Sequence, residues 1–304
     1  QGILQPKGFP GLPEGWTSEW ETFPGSDKKT RLFWVQHRAP KDSGSPERAL
    51  FVLHGLGEHG GRYLHVPHFL KDTVNSVTCL DNRGHGRSEG LRGHVDRFDD
   101  YVDDAAVAVR RLAEELKKRT GKAEIHLLGH SMGGHIAIRM LRNHPDLPIA
   151  SATVVAPFLG IKLKIPFVKK QAGLLMARIW GTLQMGNEID AHDVSHDREV
   201  SDAYVADRLV HSKVTPRFFV NLQAAMADTL VNGKAITPPI QFLVPLEDKL
   251  VDSEVSLGFF KALSEREKQL KTYPGFFHEA LNEIGKEKVF ADLGSWIRRW
   301  GVGR

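Results

Sequence analysis

The sequence predicts an α/β protein with a mostly parallel central sheet, helices on both faces, and an inserted, mainly helical cap. Three observations predict it. Short apolar runs rich in β-formers alternate with stretches of helical periodicity up to Pro157. The alternation stops over residues 158–233, which carry amphipathic pieces but no convincing strand. It resumes at residue 234 and continues to the end of the chain. The expected core is therefore 1–157 plus 234–304, with 158–233 as a lid-like insertion.

Residues 1–15, containing PKGFPGLPEG, read as an irregular arm. SEWETFPG and TRLFWVQHRA look like two strands joined by a turn at GSDKK, and PKDSGSPER is loop. ALFVLHGLG is a short apolar run ending in glycine, as expected of a buried strand whose end carries a functional loop. NSVTCLD is the next strand. DDYVDDAAVAVRRLAEELKKR is a helix with acids early and bases late, the order the helix dipole favours. AEIHLLG is a strand, MGGHIAIRMLRNH a helix and IASATVVAP a strand. After the insertion come the strand IQFLVPLED, the helix DSEVSLGFFKALSE, the strand KQLKTYPG and a last helix ending near DLGSWIRRW.

Bulk composition narrows the function classes. The chain has 304 residues, 41% hydrophobic and 26% charged, enough apolar material for one large α/β domain or two small ones. The net charge of +4 is not gathered into long Lys/Arg runs, which argues against a dedicated nucleic-acid binder. The single cysteine, Cys79, lies in the apolar stretch SVTCL and reads as a small buried hydrophobe, so there is no disulfide framework. No apolar run approaches the length a membrane helix requires. A cytoplasmic location, with peripheral membrane contact as an option, is expected. The start at Gln1 without methionine is compatible with a removed signal peptide, so secretion stays open.

The stretch LLGHSMGGHIAI places Ser131 between Gly129 and Gly133, after an apolar strand and before a helix. A serine hydroxyl is a poor nucleophile at neutral pH; it needs a base, a group to orient that base, and donors for the developing oxyanion. G-x-S-x-G alone is a weak signal, and Ser131 could be only a helix N-cap. Asp248 follows the strand IQFLVP, with Glu247 and Asp252 as competing carboxylates. His278 follows the next strand, in YPGFFHEAL. The chain order Ser131, Asp248, His278 is that of the α/β-hydrolase triad, each member after its own strand. The expected oxyanion donors are the backbone N–H groups of Met132, next to the serine, and Leu56, in the loop HGLGEHGGRY.

HGLGEHGGRY, DNRGHGRSEGLRGH, GHSMGG, LEDKLVD and YPGFFHEALNE together resemble the monoglyceride lipase and lysophospholipase group of α/β-hydrolases, over nearly the whole core. The resemblance implies a serine hydrolase acting on single-acyl lipid esters, without a cofactor. It points to Asp248 rather than Asp252 as the triad acid, and implies a cap that admits an acyl chain and a preference for a glycerol-type alcohol. It marks Glu58 and Arg62 as candidates for the polar end of the pocket, with His130 beside the nucleophile as a further candidate contact. The cap departs from the group, so the resemblance leaves the head group open. Phe158, Leu159, Ile161, Ile165, Phe167, Leu174, Leu175 and Ile179 could line an acyl tunnel or pack the cap onto the core. Lys162, Lys164, Lys169 and Lys170 could face an anionic membrane or simply form a solvated face. Short-chain esterase or thioesterase activity is the alternative within enzymes; a non-catalytic ligand-binding homologue is the alternative outside them.

Two features carry other chemistry on first sight. RGHGRSEG lacks the spacing of either phosphate-binding glycine motif and is expected to be a turn that pins neighbouring loops. His54, Glu58, His59, His65 and His68 cluster in sequence without a zinc spacing, so no metal is expected.

Overall fold

The computed structural model describes residues 5–41, 48–162, 167–187 and 189–300. Lys164 and Ile165 lie outside the described residues, as do the side chains of Phe167, Lys169 and Lys170. Strands β1 (Thr17–Pro24) and β2 (Arg31–Arg38) form an antiparallel hairpin. They are followed by β3 (Ala49–Leu53), the short helix α1 (Val66–Leu70) and β4 (Ser76–Asp81). Then come α2 (Asp99–Thr120), β5 (Ile125–His130), α3 (Met132–Asn143) and β6 (Ile149–Val155).

The stretch after β6 holds α4 (Phe167–Ile179), a two-residue strand β7 (Met185–Gly186) and α5 (Arg198–Ala206). It continues with β8 (Lys213–Val214), which pairs only with β7, and α6 (Pro216–Asn232). The chain returns to the sheet with β9 (Ile240–Pro245), α7 (Ser253–Ala262), β10 (Lys268–Tyr273) and α8 (Glu287–Arg299).

The large sheet has eight strands in the order β1-β2-β4-β3-β5-β6-β9-β10. The run from β4 to β10 is parallel, and β1 and β2 are antiparallel additions at one edge. Strands β3, β4, β5 and β9 are buried along their whole length, which is why they are predominantly apolar without a regular polar alternation, and β3 is apolar throughout. Edge strand β1 is mostly exposed, and its Trp20 stacks on Phe33 of β2. One face of the sheet is covered by α2 and α3, through Val102, Val109, Ile136 and Met140 among others, joined by Phe259 of α7. The other is covered by Val66 and Leu70 of α1 with Val289, Phe290 and Ile297 of α8. Cys79 is fully buried in β4.

None of the elements between β6 and β9 adds a strand to the large sheet. Helix α6 is fastened to the sheet-covering helices by polar contacts. Arg139 of α3 bonds both Asp228 of α6 and Asp99 of α2, each at 2.7 Å, and His135 meets the Thr229 hydroxyl at 2.9 Å. Parallel order brings the carboxyl ends of β3, β5, β9 and β10 to one edge, where loops from all four converge.

Candidate active site

Ser131 stands between β5 and α3 with φ 53° and ψ −116°, a conformation that non-glycine residues avoid and that aims the side chain out of the turn. The backbone holds it there. Its N–H donates to the Val155 carbonyl at 3.0 Å, and its carbonyl accepts from His135 and Phe158. The flanking glycines are needed for space. A Cβ on Gly133 would lie 2.1 Å from the Leu53 carbonyl oxygen, and one on Gly129 would lie 2.5 Å from the Gly133 carbonyl oxygen. Among the cap contacts of α3, Ser131 makes no side-chain bond to its helix, so the reading of a plain N-cap does not hold.

The loops after β9 and β10 bring Asp248 and His278 together: Asp248 Oδ2 accepts from His278 Nδ1 at 2.6 Å. With the Nδ1 proton donated there, Nε2 keeps its lone pair. The other oxygen of Asp248 accepts from the Leu250 and Val251 N–H groups at 2.8 and 3.0 Å. Burial opposes the charged form of both groups, but the carboxylate beside His278 outweighs it and raises the imidazole above its ordinary range. The imidazole and the backbone bonds likewise hold Asp248 below the ordinary carboxylate range. Of the competitors, Glu247 is exposed, and Asp252 caps α7 by accepting from Glu254 N–H. Lys162, read in the sequence as facing either a membrane or solvent, is exposed and donates from its ammonium to the Asp248 carbonyl at 2.6 Å.

The loop after β3 is held from both sides. His54 donates Nδ1–H to the Gly55 carbonyl at 2.7 Å and accepts the Asn82 N–H on Nε2 at 2.9 Å, while the Gly55 N–H donates to Glu58 at 2.6 Å. Burial lowers the His54 pKa, which keeps that imidazole neutral. Leu56 follows on the wall of a cavity that Ser131 and His278 also line. Met132 is fully buried at the first turn of α3, where helical N–H groups have no intrahelical partner.

Glu58 and Arg62 take part in a buried network rather than standing free. Arg62 donates to Glu58 at 2.6 Å and forms a two-pronged pair with Glu279, both bonds 2.7 Å. Glu58 also accepts from the Tyr63 hydroxyl and contacts His130 Nδ1. Burial disfavours each charge, yet Arg62 holds the Glu58 carboxyl well below the usual carboxylate range, and the two carboxylates push the guanidinium up. Glu58, His130 and Glu279 stand on the cavity wall; Arg62 sits behind them, under the ring of Tyr204 from α5. The sequence reading missed Glu279 and Tyr204. Adjacency to His278 was the only local signal for the first, and nothing local marks the second.

The cavity has a volume of about 450 Å³, and its wall is largely apolar: Phe158, Ile161, Val214, Phe218, Leu222 and Val251 contribute, with the polar groups above. Of the residues expected to line an acyl tunnel, Phe158 and Ile161 line this cavity. Leu159 is buried in the core, whereas Leu174, Leu175 and Ile179 of α4 are exposed at 38%, 58% and 72%. The RGHGRSEG segment is a turn in which Arg87 N–H and Gly60 N–H share the carboxylate of Asp81, so it does pin two loops together. Among the described residues, no group of three or more His, Cys, Asp or Glu is placed to hold a metal ion.

The family model described as serine aminopeptidase, S33, matches residues 44–285. A monoacylglycerol lipase from Mycolicibacterium smegmatis is 30% identical over 261 residues, 83% of this chain and 88% of that protein. An abhydrolase domain-containing protein from Dictyostelium discoideum is 27% identical over 90% of this chain, which spans only 28% of that longer relative. Among solved structures, the monoacylglycerol lipase of Paleococcus ferrophilus superposes with a TM-score of 0.75 at 25% identity, covering 94% of this chain and all of that one, which identifies the sheet and its helices as the α/β-hydrolase fold.

Proposed function

From the premise that this chain belongs to the serine aminopeptidase S33 family and is a serine hydrolase, we propose that it hydrolyses single-acyl lipid esters through Ser131, His278 and Asp248. His278 Nε2 takes the Ser131 proton as the hydroxyl attacks the ester carbonyl, and Asp248 steadies the imidazolium. The Leu56 and Met132 N–H groups receive the oxyanion. His278 returns the proton to the departing alcohol, and water repeats the sequence on the acyl-enzyme. The observation that carries the reading is a single largely apolar cavity of about 450 Å³ whose wall includes Ser131, His278 and the oxyanion loop. A volume in the range of ligand clefts suits one acyl chain.

We further propose a neutral polyol as the alcohol. The wall beside Ser131 carries Glu58 and Glu279 against the one guanidinium of Arg62, a net negative set that suits hydroxyl donors and disfavours a phosphate. Monoacylglycerols thus come before lysophospholipids. Contact with a lipid surface is proposed for α4, where Leu175 and Ile179, four residues apart on one helix face, are exposed at 58% and 72%, and Trp180, just past the helix end, is exposed at 58%. The deciding experiment compares a monoacylglycerol, a lysophospholipid of the same acyl chain and a short-chain ester, for the native chain and Ser131→Ala. Monoacylglycerol should be turned over fastest, and Ser131→Ala should neither hydrolyse it nor react with a fluorophosphonate. Retained hydrolysis by the variant overturns the nucleophile; a faster lysophospholipid overturns the polyol.

A further inference from the structure

We propose that Glu283 is a positioning residue for His278, and that it acts by fastening the histidine loop to residues 193–197, the stretch that leads into α5. The inference rests on the triad reading above.

Glu283 is 1% exposed, and both of its oxygens are engaged by donors. Oε1 accepts from Ile284 N–H at 2.8 Å, His196 N–H at 3.1 Å and the Ser195 hydroxyl at 3.3 Å. Oε2 accepts from His196 Nδ1 at 3.0 Å and from the N–H groups of His196 and Phe277, both at 3.2 Å. The carboxylate therefore joins two segments far apart in sequence.

The residues on either side of His278 are tied to that same stretch. Phe277 gives its N–H to Glu283, and its ring contacts both the His196 ring, 3.6 Å away, and the Lys249 ammonium, 4.1 Å away. Lys249 pairs with Asp193 at 2.8 Å. Glu279 gives its N–H to the Val194 carbonyl at 2.8 Å. Hence the peptide units flanking the base take their position from residues 193–197 as well as from β10. Asp248 orients the ring through Nδ1, but the Cα of His278 is located by these bonds. Misplacing a base by about 1 Å is enough to slow proton transfer on the order of a hundredfold.

Glu283→Gln tests this. Gln has one acceptor oxygen, and its NH₂ group must face two or more donors in either orientation, so the junction loosens without a large change in volume. Expected is a fall in kcat of about ten- to a hundredfold with KM within about twofold. The rate of fluorophosphonate labelling of Ser131 should fall in parallel, while the final labelled fraction stays complete. A role confined to stability would instead lower the melting temperature and the labelled fraction and leave kcat per labelled site unchanged, which overturns the proposal. His196→Ala, which removes one donor and the stack on Phe277 at a half-exposed position, should lower kcat in the same direction by a smaller factor. It decides the matter if Glu283→Gln does not fold. Ser131→Ala and His278→Ala run alongside: activity in either overturns the triad reading itself, whereas two inactive controls beside a fully active Glu283→Gln overturn only the role of Glu283.

Discussion

Asp248 Oδ2 lies 2.6 Å from His278 Nδ1, across a gap of thirty residues in sequence, and this bond selects one of three neighbouring carboxylates. Asp248→Asn would place an amide N–H against Nδ1 and force the proton onto Nε2, the wrong tautomer for a base. The fall in kcat should be on the order of 10³–10⁴. As the proposed base, His278 must be neutral to take a proton, and Asp248 raises the imidazole pKa against the opposing effect of burial. Activity should therefore fall as pH drops through a value above the ordinary imidazole range. In Asp248→Asn the acid limb of kcat/KM should move to lower pH. An unmoved limb in the pH–rate profile contradicts the pairing.

Gly133 permits close packing of α3 against the end of β3. A Cβ there would lie 2.1 Å from the Leu53 carbonyl oxygen and 2.7 Å from that of His54. Gly133→Ala should cost about 1–3 kcal/mol of stability or more and move the loop after β3. Gly258→Ala in α7, where nothing lies within 4 Å, should be neutral or stabilising by up to about 1 kcal/mol. Chemical denaturation of the two variants, with labelling of Ser131, checks the contrast.

Leu222 reaches the cavity from α6. Leu222→Trp should fill part of the acyl space and move preference toward shorter chains. The measurement is kcat/KM over a series of monoacylglycerols of increasing chain length. If the profile of the variant matches the native one, the acyl chain lies elsewhere.

On α4, replacing Leu175, Ile179 and Trp180 together with serine should weaken attachment to lipid vesicles. Hydrolysis of a vesicle-borne ester should fall several-fold while a water-soluble ester is turned over as before. Sedimentation with vesicles, with and without anionic lipid, separates an apolar contact from a charge-driven one. Equal vesicle binding by the variant argues against this face.

The strands of the large sheet were legible because their signals are local, whereas the two-residue strands β7 and β8 were missed and the triad candidates emerged from their order along the chain. IHLLGHSMGG contains the strand, the tight turn and the helix start, and only glycine fits where Gly133 meets Leu53. A strand buried on both faces of a parallel sheet is mostly apolar, so ALFVL and IQFLVP declared themselves although Gln241 is buried as well. The helices after Pro157 were harder to place, since an apolar side chain there has two surfaces available. Phe158 and Ile161 face the cavity, but Leu175 and Ile179 face outward.

By itself, the sequence determined an α/β sheet with a serine, an acid and a histidine each at a strand end, because strand periodicity and turn chemistry act over a few residues. Tertiary structure decided the contacts themselves: Asp248, which the sequence resemblance favoured, faces His278, while Asp252 caps a helix. It also turned Arg62 away from the cavity wall toward Glu279, and it bound the His278 loop to residues 193–197 through Glu283. The physical reason is the same in each case: a buried charge must find its partner in space. Arg62 and Glu279 are 217 residues apart along the chain, a distance over which no local pattern carries information.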